Sequence, residues 1–170
     1  MAIETILLPV GPNDDNRVDA LADAVVDVAG PTGATVVLAH VFTDKEFEDI
    51  REQLAEGEGD IIEQRFHGSF DPRVSIEGEA DLTPEQVVDR LSVVRDLENA
   101  LDTAGIDYEI RGVIGSDRGE RIVELAESVG ADLLFVGGRR RSPTGKAVFG
   151  STAQEVMLSS PCPVTFVRRG

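Results

Sequence analysis

Residues 3–10 read Ile3-Glu4-Thr5-Ile6-Leu7-Leu8-Pro9-Val10, with Gly11-Pro12 directly after. The run is apolar at neighbouring positions rather than at alternate ones, and it is too short for an ordinary helix. Such a run suits a strand buried on both faces, the habit of parallel sheets that carry helices above and below. The rest of the chain is then expected to alternate helices with strands of the same kind.

It does. Asn13 to Asp15 supply N-caps, after which Val18, Leu21, Ala22, Val25, Val28 and Ala29 recur at helical spacing and Gly30 offers a stop. Ala34 to Phe42 is a second continuous run rich in β-branched residues, so the opening third is a strand, helix, strand unit. From Thr43 to Ala80 the pattern loosens into an acidic insertion at about 43–80, in which Phe47, Ile50 and Leu54 mark a short helix. Thr83-Pro84-Glu85-Gln86 has the form of a helix start, with Thr83 as N-cap, Pro84 as first helical residue and Gln86 closing a capping box. Val87, Leu91, Val94, Leu97, Leu101 and Ala104 then predict one long helix ending at Gly105. Ile106 to Ile114 reads as a third strand, Ser116 to Val129 as a helix stopped by Gly130, and Asp132 to Val136 as a fourth strand. A loop over Gly137 to Phe149, a short helix over Ser151 to Ser159 and a fifth strand over Pro163 to Val167 complete the chain. For 170 residues this pattern predicts a single α/β domain over 1–170, a three-layer open sandwich of Rossmann-like type around a five-stranded parallel sheet. Ligands in such sheets bind at the carboxyl ends of the strands, near the topological switch point.

Composition narrows the function classes. Acids number 32 against 16 bases, for a formal net charge of −16, which excludes a general nucleic-acid-binding surface because duplex phosphates need a basic face. Only Lys45 and Lys146 are lysines, and the other bases are all arginine. A lysine-poor, acid-rich chain with an ordinary 41% apolar content fits a halophilic cytosol, where concentrated salt screens self-repulsion. No apolar run approaches membrane-spanning length, and Glu4 stands where a signal peptide would carry a base, so a cytoplasmic location without membrane contact is expected. The single cysteine, Cys162, lies between two prolines and reads as a small buried hydrophobe.

The charge is unevenly spread. Asp44 to Glu109 holds 20 acids and 6 bases, whereas Leu133 to Gly170 holds 6 bases and one acid, Glu155. Four of those bases, Arg139, Arg140, Arg141 and Lys146, share the loop that leaves the fourth strand and enters a helix through Gly150-Ser151-Thr152. Helical N–H groups, hydroxyls and cations converging on one spot bind phosphate. The loop is not a Walker A motif, since six residues separate Gly138 from Gly145 and Ala147 follows Gly145-Lys146; a G-x-G-x-x-G dinucleotide pattern is absent as well.

These residues resemble the universal stress proteins. Members carry G-x2-G-x9-G-[ST] after the fourth strand, and Gly137, Arg140, Gly150 and Ser151 match its spacing. The likeness extends along nearly the whole chain, through Ile6-Leu7-Leu8-Pro9-Val10, Leu38-Ala39-His40-Val41, Ala131 to Gly137, and Ser160-Pro161-Cys162-Pro163-Val164. The resemblance implies strand order 3-2-1-4-5 in an adenine nucleotide alpha hydrolase-like fold. It also implies a homodimer through the fifth strand (Val164 to Arg168) and, in many members, one bound ATP or AMP per chain. Carried over residue by residue, it assigns nucleotide or phosphate binding to Pro9, Gly11, Val41, Val136, Gly137, Arg140, Gly150, Ser151 and Thr152, with the Val41 backbone at the adenine edge. Two positions depart from the pattern. Gly11 stands where nucleotide-binding members have an aspartate, and Asp14 and Asp15 lie close by but out of register. Arg140 replaces the second glycine, where it either redirects the loop or itself grips a phosphate with its planar fork.

The expected function is a non-enzymatic stress-response protein with a phosphate- or adenine-nucleotide-binding loop. A slow ATP hydrolase or phosphotransfer protein is one alternative, and it needs a magnesium-holding carboxylate near Gly150, for which Glu155 is the candidate. A ligand-free dimeric interaction module is the other. No nucleophile and base pair stands out, so no catalytic residue is assigned. His40 reads as a core or strand-end histidine, and His67 lies in the polar insertion; neither has metal-like partners, and the acidic run from Glu46 to Glu63 lacks the form of a calcium hand.

Overall fold

A computed structural model describes residues 2–11, 14–55, 82–138 and 149–168. Strand β1 (Thr5–Pro9) leads through a 3-10 turn (Asp14–Arg17) into helix α1 (Val18–Thr32), then β2 (Thr35–Phe42) and α2 (Asp44–Ala55). The chain continues as α3 (Pro84–Val88), α4 (Ser92–Ala104), β3 (Tyr108–Ile114), α5 (Arg118–Val129), β4 (Leu133–Gly138), α6 (Ser151–Ser159) and β5 (Val164–Arg168). The five strands form one sheet in the order β3-β2-β1-β4-β5, and every neighbouring pair is parallel.

Strand periodicity divides the core into two layers. Ile6, Leu8, Val36, Leu38 and Phe135 face α1, α3 and α4, and α2 adds Phe47 and Ile50 to the same cluster. Leu7, Val37, Ala39, Leu134 and Val136 face α5 and α6, where Ile122, Leu125, Ala126 and Val156 complete a second cluster. Ile6, Leu7 and Leu8 are all fully buried, as two-sided coverage requires, and each such side chain contributes about 1.5–3 kcal/mol.

Element ends correct the sequence reading in two places. Helix α1 does not stop at Gly30 but runs through Pro31 to a left-handed Gly33 (φ 70°), whose N–H reaches Ala29 O. Pro31 falls in the last turn, where its missing N–H removes a single bond and the helix tolerates it. The helix expected from Thr83 to Gly105 is two. The capping box at Thr83 and Gln86 forms, but the chain turns at Asp89-Arg90 and is extended at Leu91 (ψ 132°) before α4 begins. The break lets α3 lie against β3, where Gly112 has no room for a side chain: a Cβ there would stand 2.3 Å from the Pro84 carbonyl carbon. The stretch read as an insertion opens with the short helix expected there, α2, whose Phe47 and Ile50 join the core; its remainder, 56–81, with His67, lies outside the described residues. Cys162 is half-buried rather than buried, packed beside the second cluster with its Sγ 3.6 Å from Ser160 Oγ.

Candidate functional site

The position of the site follows from a missing donor. Val10 donates its N–H to Ala39 O on β2 at 2.8 Å, so the preceding residue, Pro9, faces β4 with the nitrogen that carries no hydrogen. Pairing between β1 and β4 accordingly spans Ile6 and Leu7, opposite Leu133 and Leu134, and ends there. Beyond it the two strands part, and a cleft of about 510 Å³ opens at their carboxyl ends. This is the switch point of the 3-2-1-4-5 order.

Eight of the nine residues proposed from sequence line this cleft: Pro9 and Gly11 after β1, Val41 on β2, Val136 and Gly137 on β4, and Gly150, Ser151 and Thr152 at the start of α6. The ninth, Arg140, lies outside the described residues, as do Arg139, Arg141 and Lys146. At Gly150 the N-cap has no side chain to offer, and the first intrahelical bond runs from Gln154 N to Gly150 O at 3.0 Å. The N–H groups of Ser151, Thr152 and Ala153 therefore precede the helical ladder and bring the positive end of its dipole to the cleft.

Two glycines of β4 are fixed by space rather than by backbone angle. A Cβ on Gly138 would overlap Phe166 (1.7 Å from Cζ), whose ring meets Phe149 edge to face at 4.7 Å and so closes one wall. A Cβ on Gly137 would stand 3.0 Å from Arg17 Cδ and 3.1 Å from Asp14 Oδ1. That contact reveals residues the sequence reading left out.

Asp14, set aside as out of register, is turned back by the 3-10 turn so that its Oδ2 accepts the Gly11 N–H at 2.6 Å. Its Oδ1 lies 3.0 Å from Arg17 Nε, and both side chains are about nine-tenths buried, at 11% and 7% exposure. Both line the cleft. A second ion pair sits at the other side, where Arg118 on α5 donates through Nη2 to Glu46 on α2 and through Nε to the Val41 carbonyl at 3.3 Å. Burial alone would raise the Glu46 carboxyl, but the Thr43 N–H at 2.8 Å and the Arg118 guanidinium outweigh it and hold its pKa below the usual value. Arg118 leaves one lone pair on the Val41 oxygen for another donor.

Between these pairs lies His40, buried to 2% exposure, with Nδ1 donating to the Val10 carbonyl at 2.7 Å and the ring edge-on to Phe42. Burial, together with the Arg118 charge, lowers its pKa to about 4 against the opposing pull of Val10 O and Glu46, so the ring is neutral at pH 7. It is a strand-end core histidine, as its setting in the sequence predicts. Glu155 points away from the cleft towards Gly119 on α5; burial, then the neighbouring Asp117 and Glu120 carboxylates, raise its pKa. Among the described residues no group of His, Cys, Asp and Glu side chains is arranged to hold a metal ion.

Residues 2–168 match the profile of the universal stress protein family. The chain belongs to that family. A universal stress protein of Mycolicibacterium smegmatis is 39% identical over 79 residues, a stretch spanning 46% of this chain and 61% of that protein. A solved universal stress protein in complex with cAMP superposes with a TM-score of 0.58 at 19% identity, covering 99% of this chain and 98% of its own. A universal stress protein from Archaeoglobus fulgidus in complex with dAMP gives 0.57 at 17% identity, covering 98% and 99%. Likenesses at this identity show the fold, the five-stranded parallel sheet in the order 3-2-1-4-5 that the resemblance implied. No helix among the described residues is long and apolar enough to cross a membrane.

Proposed function

We propose that this universal stress protein is a non-enzymatic, ligand-responsive regulator that binds an adenine nucleotide, ATP or AMP, in the cleft between β1 and β4. The observation that carries the reading is the convergence on one cleft of the bare first turn of α6 with the residues after β1 and β4. The cAMP and dAMP held by two proteins of the same fold support the ligand class. Pro9, Gly11, Val41, Val136, Gly137, Gly150, Ser151 and Thr152 are proposed as its contacts, with Arg140 from the adjoining loop. A hydrolase reading is weakened by Glu155, which faces Asp117 and Glu120 instead of the cleft. Isothermal titration of the full chain with ATP, AMP and a cyclic dinucleotide in molar salt is expected to give heat with at least one of them. No heat with any would overturn the reading and leave a ligand-free interaction module.

Further parts of the proposal rest on sequence and topology. The chain is one domain over 1–170 carrying an acidic insertion at about 43–80, of haloarchaeal type and cytoplasmic. The lysine-poor, acidic composition favours solution in concentrated salt. It forms a homodimer through Val164 to Arg168, a reading supported by the place of β5 at the sheet edge, where bare strands invite pairing. Light scattering in molar salt should give a dimeric mass, and a monomeric mass would overturn this part alone.

A further inference from the structure

The Asp14–Arg17 pair is more than a brace within its turn. Both carboxylate oxygens of Asp14 are engaged, Oδ2 by the Gly11 N–H and Oδ1 by Arg17 Nε. The guanidinium has five N–H donors, and the ion pair occupies the one on Nε. The donors on Nη1 and Nη2 meet no hydrogen-bond acceptor among the described residues, although the side chain is only 7% exposed and lines the cleft. Donors on the wall of a cleft can take their acceptors from a ligand bound there. Their setting is specific as well. Arg17 Nη1 would stand 3.2 Å from a Cβ on Gly137, so the guanidinium lies over the bare β4 backbone, in the same cleft as the first turn of α6. A cation held by its Nε, with the opposite edge facing a cavity, presents the planar fork that matches two oxygens of one phosphate.

We propose that Arg17 grips the ligand's phosphate inside the cleft, with Nη1 and Nη2 donating to two phosphate oxygens while Asp14 acts as the positioning residue that fixes the fork from behind. The inference rests on the nucleotide reading and deepens it: the protein reads a phosphomonoester joined to a nucleoside, and the nucleoside alone binds weakly. Charge-assisted hydrogen bonds of this kind make a phosphate worth about tenfold or more in affinity.

Titration of the full chain with AMP and with adenosine tests it, the readout being the ratio of the two affinities within each variant, so that effects common to both ligands cancel. The wild-type protein is expected to prefer AMP by about tenfold or more, Arg17→Met to bring the ratio close to one, and Arg17→Lys, which keeps the charge but loses the fork, to fall between. Should Arg17→Met fold poorly once the Arg17 cation is gone, Asp14→Asn/Arg17→Met retains an oxygen for the Gly11 N–H and is expected to show the same collapsed ratio. An unchanged ratio in the Arg17 variants, or equal wild-type affinities for AMP and adenosine, overturns the role of Arg17 and leaves nucleotide binding standing. Wild-type protein that binds neither compound overturns both.

Discussion

Two arginine–carboxylate pairs meet one cleft, the first with both partners on its lining and the second through Arg118 alone, and they are built in opposite ways. Asp14 and Arg17 are three residues apart in a single turn, with side chains 11% and 7% exposed. Glu46 and Arg118 come from separate helices, with side chains 32% and 37% exposed. The first pair is enclosed in low dielectric and held from both sides; the second is open to screening by salt. The difference teaches that the first fixes the shape of the site, whereas the second joins α2 to α5 beside it at little energetic consequence.

The largest effect is expected from Arg17→Met alone, which takes the Arg17 cation away from the enclosed Asp14 carboxylate. Removing one partner of a buried pair costs about 3–5 kcal/mol, and chemical denaturation should show a loss near the lower bound, with Asp14→Asn/Arg17→Met recovering part of it. A loss below about 1 kcal/mol would place this pair in the same class as the exposed one.

Next comes His40, which lies between the pairs. Its folded pKa of about 4 is below the ordinary 6.5, so the unfolded chain takes up the proton first. Stability from the neutral ring is complete above pH 6.5 and is lost as pH falls towards 4, by about 3 kcal/mol in all. Denaturation curves of His40→Gln and wild type should converge or cross over that window, and a constant gap between them would count against a ring held neutral.

Gly137→Ala probes the packing beneath the buried pair. Its methyl group meets Arg17 Cδ at 3.0 Å, and overpacking of this kind costs about 1–3 kcal/mol. AMP affinity should fall with it, because the guanidinium must move; unchanged affinity would show that Arg17 can shift freely. The smallest effect is expected from Glu46→Gln, within about 1 kcal/mol at low salt and vanishing in molar salt. A larger loss that survives salt would erase the contrast between the pairs.

Much of this architecture is legible in the sequence because local patterns carry it. Continuous apolar runs give β1, β2 and β4, Thr83 to Gln86 spells out its capping box, and Gly105 and Gly130 end their helices in the left-handed conformation. The misplaced boundaries have local causes too. Gly30 and Gly33 compete as stops for α1, and the burial of Val87, Val88 and Leu91 against β3 outweighs the helical periodicity that would have run α3 into α4. The cleft is legible through spacing, since Gly137 and Gly150 announce themselves. The pairs are not. Glu46 and Arg118 meet across 72 residues of chain, which no pattern signals. Asp14 has a signal that counting alone misreads: an acid three residues past Gly11 and three before Arg17 can serve both once the chain turns tightly there.

Three helices end on left-handed glycines, Gly33, Gly105 and Gly130, and each passes almost at once into the next strand. The amino-terminal rim of the sheet is thus stitched by turns with no slack, and the N–H groups of Thr35, Val36 and Asp132 are tied there to Glu4, Asp107 and Thr5 carbonyls. The connections that follow β1 and β4 leave from the opposite rim, where Gly11, Gly138 and Phe149 line the cleft. A change in the length or charge of either connection is therefore made where a ligand would feel it, so drift in loop length and drift in specificity are coupled there.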